Sequence, residues 1–435
     1  MQSNVENLGA LERRVDISVS QEKVEEEVEV RLKRLVKTTK LHGFRPGKVP
    51  LKIVTQKYGM QIQQDVLNDA IQKEFNDVIK ELDLKIAGYP RFETKASVEG
   101  DNSPYEFTAI FEIYPDIEFG DLSQQSVEKP VVKIKAANVA QTIEMIRKQQ
   151  VQYQPANRSA ISGDRVNINF HGVIEGKDFA GGKAEDVELI IGEGKFLKDF
   201  EDALIGLSVG EDKTFDMVFP EDYGGKEIAG KSVTFEIKVN AIDIPILPEV
   251  NADFAKLLGI PDGDLDKVRT GIRQDLEREI SKRIRSKLKE QIMQCFLESV
   301  QMDTPNVLIR QETERLMKDA SDNLESRGMK AHDIQLTPEM FKDKAENRIK
   351  LGLILSELVK VHDLKATPEK VRSIIEEKSQ NYENPEQVVK WHYASPERLQ
   401  EAQSLALEDN VVQWALDKVK IIEKKVTFDE IMGIS

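Results

Sequence analysis

The sequence predicts a multidomain α+β protein. Its 435 residues correspond to about three domains. Twelve of the 25 glycines lie between residues 163 and 230, and short alternating segments between glycine turns are typical of a small antiparallel β domain. From about Pro248 onward glycine becomes scarce and helical patterns dominate. We therefore expect an α+β domain over 1–115, a connector over 116–154, a β domain over 155–245, and an all-α domain with protruding helical arms over 246–435.

The first 154 residues alternate between strand and helix patterns. Apolar and polar residues alternate over Arg13–Val19, which predicts a strand. Ser20 follows as a helix cap, and the helix after it is expected to run from about Gln21 to Lys40. The later patterns predict two helices, a strand, an extended segment and a connector helix, at Val49–Tyr58, Gln61–Leu82, Tyr105–Ile113, Val127–Ile134 and Ala136–Gln152.

The glycine-rich stretch and the C-terminal part are expected to fold differently. Within the stretch, short strands are predicted at Val166–Phe170, Val187–Ile191 and Val233–Val239. Beyond it, a hydroxyl residue, a proline and an acid mark helix starts at Thr337, Thr367 and Ser395, and Thr304-Pro305 is a fourth start.

Two C-terminal helices have distinct apolar patterns. Between Leu265 and Phe296 apolar residues recur almost every fourth position, which predicts a helix on the order of 50–60 Å long with a narrow apolar stripe. So narrow a stripe is typical of an arm that packs against one or two neighbours. The run Leu351–Leu355, with Leu358, Val359 and Val361, is apolar on most sides and is expected to be central.

Composition excludes several classes of function. The N-terminus has no apolar signal segment, and no window approaches the roughly 18 apolar residues of a membrane span. The single cysteine, Cys295, lies in an apolar helical pattern and is expected to pack internally, so we expect a cytoplasmic protein. The five histidines have no metal-ligand spacing, and neither a nucleotide-binding fingerprint nor a Walker motif is present. No cofactor, no metal and no use of ATP are expected.

One basic segment stands out in a chain of net charge -15. No acidic residue occurs between Arg31 and Gln64, although an ordinary solvated face mixes both signs. The basic residues of this segment are Arg31, Lys33, Arg34, Lys37, Lys40, Arg45, Lys48, Lys52 and Lys57. At its centre stands the sequence Gly43-Phe44-Arg45-Pro46-Gly47-Lys48-Val49-Pro50. Glycines and prolines at this spacing interrupt a helix, so we expect a fixed loop that docks on a negatively charged partner.

This motif resembles the ribosome-docking signature of the trigger factor family, bacterial chaperones that meet nascent chains at the ribosomal tunnel exit. The resemblance covers the full chain. It implies a docking tip that contacts a ribosomal protein and nearby ribosomal RNA, formed by Gly43, Phe44, Arg45, Pro46, Gly47 and Lys48. It also implies ATP-independent holding of nascent and unfolded polypeptides, and homodimers off the ribosome.

The glycine-rich domain carries an ordered series of aromatic motifs. From Val166 to Phe235 the order of these motifs resembles the FK506-binding-protein (FKBP) type of peptidyl-prolyl cis-trans isomerase. The resemblance implies an FKBP-like fold and a proline pocket formed by Phe170, Phe179, Phe196, Leu197, Phe200, Tyr223 and Phe235. Two positions depart from the family pattern: Ala180 stands where an Asp is usual, and Phe200 stands where Trp is frequent. We expect isomerase activity but not tight binding of macrocyclic drugs.

Several alternatives remain open at this point. The aromatic residues could be only the core of a small β domain. The chain could be a free multidomain prolyl isomerase whose helices only recruit substrates, or an RNA-binding regulator, although the basic segment offers only Phe44 and Tyr58 for base stacking. A set of apolar residues in the helical part either contacts clients or packs arm against arm: Met293, Phe296, Met317, Leu324, Met340 and Phe341.

Overall fold

The computed structural model describes residues 5–39, 44, 49–95, 104–224, 228–327, 336–380, 382 and 384–434. The chain divides into two compact units, one of residues 1–129 and 286–424 and the other of residues 130–285 and 425–435. The predicted class, a multidomain α+β protein with antiparallel sheets and a helical C-terminal part, is confirmed. Because one compact unit can hold several domains, the boundaries near residues 115, 154 and 245 stay predictions.

The first unit begins with an antiparallel sheet and two helices. In chain order these elements are β1 (Val5–Asn7), β2 (Glu12–Val19), α1 (Gln21–Thr38), α2 (Leu51–Glu81), β3 (Ile86–Thr94) and β4 (Tyr105–Ile113). The strand order is β1-β2-β4-β3. Alternate residues of β2 face inward and are buried together with Phe75 and Ile79 of α2. Burial of this shared apolar face explains why the alternating pattern of β2 was readable from sequence.

Helix α2 corrects one prediction, because it is a single helix of 31 residues and not two. Gly59 lies between the two predicted helices, and glycine in a helix costs about 1 kcal/mol relative to alanine. On either side of it, however, Val54 and Val66 are buried. Packing on both sides of the glycine outweighs its local cost, so the helix continues through it.

The second unit contains the predicted β domain. Its elements are α3 (Ala136–Gln149), β6 (Gln152–Pro155), β7 (Arg165–Ile174), β8 (Lys177–Ile190), α4 (Lys198–Leu204), β9 (Asp212–Val218) and β10 (Ser232–Ile246). β5 (Ser126–Val131) precedes them. The long strand β10 pairs antiparallel with β7 on one edge and with β9 and then β6 on the other. Residues at every second position of β10, from Val233 to Val239, are buried and form the centre of the core with Phe200 and Leu204 of α4.

The C-terminal part is helical, as predicted, except for one short strand at Lys420–Lys425 that the all-α prediction did not include. Its elements are α5 (Ala252–Leu257), α6 (Leu265–Ser299), α7 (Asn306–Ser326), α8 (Glu339–Val361), α9 (Pro368–Ser379), α10 (Pro385–Tyr393), α11 (Pro396–Leu416), β11 (Lys420–Lys425) and α12 (Phe428–Met432). β11 pairs with β5 in a two-stranded sheet. The four predicted helix starts are confirmed to within two residues. A further start at Asn384-Pro385, where the Asn384 side chain accepts the amide of Gln387, was not noted from sequence.

Burial confirms most of the helical patterns. Along α6, seven of the predicted stripe residues are buried: Val268, Ile272, Leu276, Ile280, Leu288, Ile292 and Phe296. Cys295 is buried, as expected. In α8, Ile354 and Leu358 are fully buried, but Val361 is 56% exposed, so its predicted central position is wrong. Val361 is the last residue of α8 and lies past the packed face.

Candidate active site

The aromatic side chains of the β domain converge because of strand alternation. Phe235 lies on the buried face of β10, between Val233 and Ile237. Directly across the ladder its partner on β7 is Gly172. A Cβ atom at Gly172 would lie 2.5 Å from Cε1 of Phe235. The absence of a side chain at this position therefore makes room for the aromatic ring.

Phe200 of α4 is the centre of the arrangement and is 3% exposed. Phe196 stacks on it with ring centroids 5.1 Å apart and an interplanar angle of 19°. Phe235 and Phe170 meet it edge-on at 5.3 Å and 5.5 Å. Edge-to-face and offset contacts of this kind stabilise aromatic clusters beyond simple burial. Phe200 thus forms a buried floor, while Phe170 and Phe196 are only half-buried.

The other predicted residues lie at different distances from this floor. Phe179 is half-buried, and its ring meets that of Phe235 at 6.5 Å. Leu197 precedes α4 and packs against the same core. Tyr223 is 42% exposed, and among the described residues its ring pairs only with Phe219, at 4.8 Å. Six of the seven predicted residues therefore adjoin one cluster directly, and Tyr223 adjoins it through Phe219.

Two aromatic residues of the cluster were not assigned from sequence. Phe215 stacks on Phe235 at 6.0 Å and meets Phe200 at 5.8 Å. Phe219 contacts Phe179 and Phe235. The signal that would have found them is the alternation from Phe215 through Met217 to Phe219, which places all three side chains on the inner face.

The cluster is apolar, and the neighbouring ionisable pair points elsewhere. His171 Nε2 lies 2.8 Å from Asp178 Oδ1, and both side chains are substantially exposed. On β7 His171 follows Phe170 directly, so the two side chains lie on opposite faces of the sheet. His171 is thus a surface residue of the strand and lies outside the aromatic cluster. The described residues contain no group of three or more His, Cys, Asp or Glu placed to bind a metal ion.

The basic segment is only partly described. Phe44 is 39% exposed, whereas Gly43, Arg45, Pro46, Gly47 and Lys48 lie outside the described residues. The neighbouring ends of α1 and α2 pack together through a cluster centred on Leu32, Val49 and Val54.

Some basic side chains of α1 and α2 beside the motif form ion pairs with acidic residues, and others do not. Arg31 donates to Asp69 and Glu27, and these hydrogen bonds raise its pKa. Lys33 pairs with Glu29 at 2.6 Å. In the part of the chain that the structure covers, Arg34, Lys37 and Lys52 form no ion pair. The excess positive charge therefore lies towards the ends of α1 and α2 that flank the motif.

None of the helices within the described ranges combines the length and hydropathy that a membrane span requires.

The apolar residues proposed either to contact clients or to pack between arms differ in their exposure. Phe296 is 1% exposed, Met340 is 64% exposed, and Phe341 packs against Ile309, Leu316 and Ala345. Met293, Met317 and Leu324 are half-buried. Met340 is the one predicted client-contact residue that is largely free to contact a partner.

Comparisons with known proteins agree over the whole chain. The family profile described as "Bacterial trigger factor protein (TF)" matches residues 1–146, and its C-terminal counterpart matches residues 264–417. The profile "FKBP-type peptidyl-prolyl cis-trans isomerase" matches residues 156–240. The trigger factor of Nitrosospira multiformis is 53% identical over 436 residues, covering 100% of both chains. Those of Nitrosomonas europaea and Nitrosomonas eutropha are 52% and 50% identical, each covering 100% of this chain and 99% of its relative.

These matches identify the β domain as a peptidyl-prolyl isomerase of the FKBP type. With half or more of its residues identical to three trigger factors along its entire length, the chain belongs to the trigger factor family of chaperones.

Proposed function

We propose that the prolyl isomerase activity resides in the aromatic cluster around Phe200. The proline-binding set comprises Phe170, Phe179, Phe196, Leu197, Phe200, Tyr223 and Phe235. The observation that carries this proposal is the buried floor of Phe200, whose ring is contacted by Phe170, Phe196 and Phe235 within 5.5 Å. An apolar ring such as that of proline would bury its surface against such a floor.

The proposed mechanism needs no covalent step. Rotation about an X-Pro bond meets a barrier of roughly 18–20 kcal/mol, because the planar amide has partial double-bond character. Water favours the polar planar amide over the twisted state, so a site that excludes water favours the twisted state by comparison. Aromatic side chains that hold the proline ring while the preceding carbonyl rotates lower the barrier by differential binding. Such a mechanism uses neither a general base nor a nucleophile.

We further propose that the chain docks at the ribosomal tunnel exit through the loop of residues 43–48. Two observations support this. Phe44 is exposed, and Arg34, Lys37 and Lys52 near the loop have no ion pair within the described ranges. Phosphate contacts by basic side chains make binding to RNA fall with added salt. Docking at this place puts the chaperone in the cytoplasm, beside nascent polypeptides that it holds without ATP.

Contact with ribosomal RNA, in addition to a ribosomal protein, is part of this proposal. So is self-association into homodimers when the chain is off the ribosome. For the holding function, Met340 is the first candidate to contact clients, because it is exposed and methionine adapts to varied apolar partners.

Ribosome co-sedimentation tests the docking proposal. The variant Phe44→Ala, Arg45→Ala, Pro46→Ala is compared with wild type and with a matched variant at exposed positions, Tyr89→Ala with Arg91→Ala, at low and moderate salt. The first variant should lose sedimentation with ribosomes, while the matched variant should sediment like wild type, more weakly as salt rises.

Isomerase activity is measured on the same samples. Full isomerase activity in the non-sedimenting variant would support a docking loop separate from the enzyme site. Equal sedimentation of all three proteins, or of none, would contradict docking through this loop. That result would favour the alternative, a free multidomain isomerase whose helices only recruit substrates.

A further inference from the structure

A buried carboxylate lies directly behind the aromatic floor. Glu201 follows Phe200 in α4 and is 4% exposed. Within the described residues no basic side chain forms an ion pair with it. A buried carboxylate is costly unless hydrogen bonds compensate for the lost water. The position of those bonds indicates what the residue does.

Within the described residues, the hydrogen bonds of this carboxylate all go to one loop. Oε2 accepts from the amide of Gly192 at 2.8 Å and, more weakly, from that of Gly194 at 3.4 Å. Oε1 accepts from the amide of Phe196 at 3.1 Å. Both oxygens are therefore used on a five-residue segment, and the last of its amides belongs to a residue of the proposed proline site.

The geometry of the loop makes these bonds necessary. Gly192 and Gly194 have φ values of +95° and +73°, which turn the chain without forming a helix or strand. Their amides face inward, and strand partners do not satisfy them. A carboxylate accepts through both oxygens and donates through neither, so it can bind several converging N–H groups.

We propose that Glu201 is a positioning residue for prolyl isomerisation. It ties the segment 192–196 to the same helical turn that carries the floor residue, and thereby fixes the ring of Phe196 on that of Phe200. This inference rests on the proposed assignment of Phe196 to the proline site. It assigns Glu201 no contact with substrate and no proton transfer.

Glu201→Gln is the direct test, because it keeps the size of the side chain and replaces one acceptor oxygen by a donor NH₂ group. Whichever way the amide is turned, one loop N–H then faces another donor. We expect kcat/KM for an X-Pro peptide to fall between about tenfold and a hundredfold, as for an active-site group displaced by about 1 Å. Hydrogen exchange at the Gly192 and Phe196 amides should become faster.

The matched control is Asp202→Asn. Asp202 is the next residue along the helix and is exposed, so this substitution removes a carboxylate charge without disturbing the loop. It should keep wild-type kcat/KM. Thermal unfolding of each full-length variant shows that the fold persists. If Glu201→Gln does not fold, Glu201→Asp takes its place. Aspartate is one methylene too short to satisfy the whole loop, and the same loss of kcat/KM is expected.

A double variant separates positioning from a general loss of stability. If Glu201 acts through Phe196, adding Glu201→Gln to Phe196→Ala should lower kcat/KM no further, since coupled residues are not additive. Additive losses would overturn the positioning role, and so would wild-type kcat/KM in Glu201→Gln. By contrast, wild-type kcat/KM in Phe196→Ala alone would overturn the assignment of Phe196 to the site, which is a failure of the proposed function.

Discussion

Gly172→Ala is the substitution that tests the aromatic site most selectively, because it adds one methyl group behind Phe235. The new Cβ would lie 2.5 Å from Cε1 and 2.9 Å from Cδ1 and Cζ of that ring. Carbon atoms in good contact lie about 3.5–4.0 Å apart, so the ring must move by about 1 Å. The backbone at Gly172 has no positive φ, so alanine fits the strand itself.

Two consequences follow from a displacement of this size. Overpacking of a core costs about 1–3 kcal/mol of unfolding free energy. A shift of about 1 Å at an active-site group can cost about a hundredfold in rate. We therefore expect kcat/KM of Gly172→Ala to fall roughly 10- to 100-fold, while the β domain unfolds at a moderately lower temperature.

The assay is cis/trans exchange of an X-Pro peptide followed by NMR, with calorimetric unfolding of the same full-length sample. Gly271→Ala is the matched control, because it lies in α6 and its added Cβ would meet nothing within 4 Å beyond its neighbours and the backbone of its own helix. It should leave isomerisation unchanged and slightly stabilise the helix. Wild-type kcat/KM in Gly172→Ala would refute the reasoning that the position of Phe235 controls the reaction.

Three further predictions concern the rest of the chain. The hydrogen bond from Lys95 holds the pKa of Asp16 below its ordinary 3.8. The ionised Asp16 carboxylate therefore stabilises the fold above pH 3.8, and this stabilisation is lost as the pH falls through the lowered pKa. The difference in unfolding free energy between wild type and Asp16→Asn should shrink in acid. A difference that is independent of pH would contradict this. Burial raises the pKa of the Cys295 thiol, so it should react slowly with a thiol reagent when folded and fast in urea, and equal rates would show that it is accessible. Ile354→Ala, at a fully buried position, should lower the unfolding free energy by about 2–5 kcal/mol. The half-exposed Val361→Ala should cost no more than about 0.5 kcal/mol, and equal losses would contradict the burial pattern of α8.

Sequence patterns predicted the fold wherever one local period decided the structure. Apolar and polar residues alternate along β2 and β10, and an apolar residue recurs at almost every fourth position of α6. Each pattern arises because one face of the element is buried, so it can be predicted from the residue types alone. Resemblance supplied the aromatic set, and five of its rings belong to one connected cluster.

Features that depend on residues far apart in the chain could not be read in this way. Two helices were predicted where α2 is one, because the packing that carries α2 through Gly59 comes from other elements. Glu201 gave no local signal, since its partners are loop amides whose direction depends on the turns at Gly192 and Gly194. Phe219 was visible in the sequence, but its contact with Phe179 exists only once β8 and β9 are in place.

The central claim, docking through the loop around Phe44, is tested most directly by site-specific crosslinking. A Thr38→Cys variant carries a photo-crosslinker on the new thiol, at an exposed position five residues before the loop, and leaves residues 43–48 unchanged. The buried Cys295 stays unlabelled in the folded protein. Tyr89→Cys is the control, because Tyr89 is 84% exposed in the same compact unit. We expect illumination with ribosomes to yield crosslinks to ribosomal protein or RNA from position 38 and none from position 89. No crosslink from position 38, or equal crosslinking from both positions, would contradict docking through this loop.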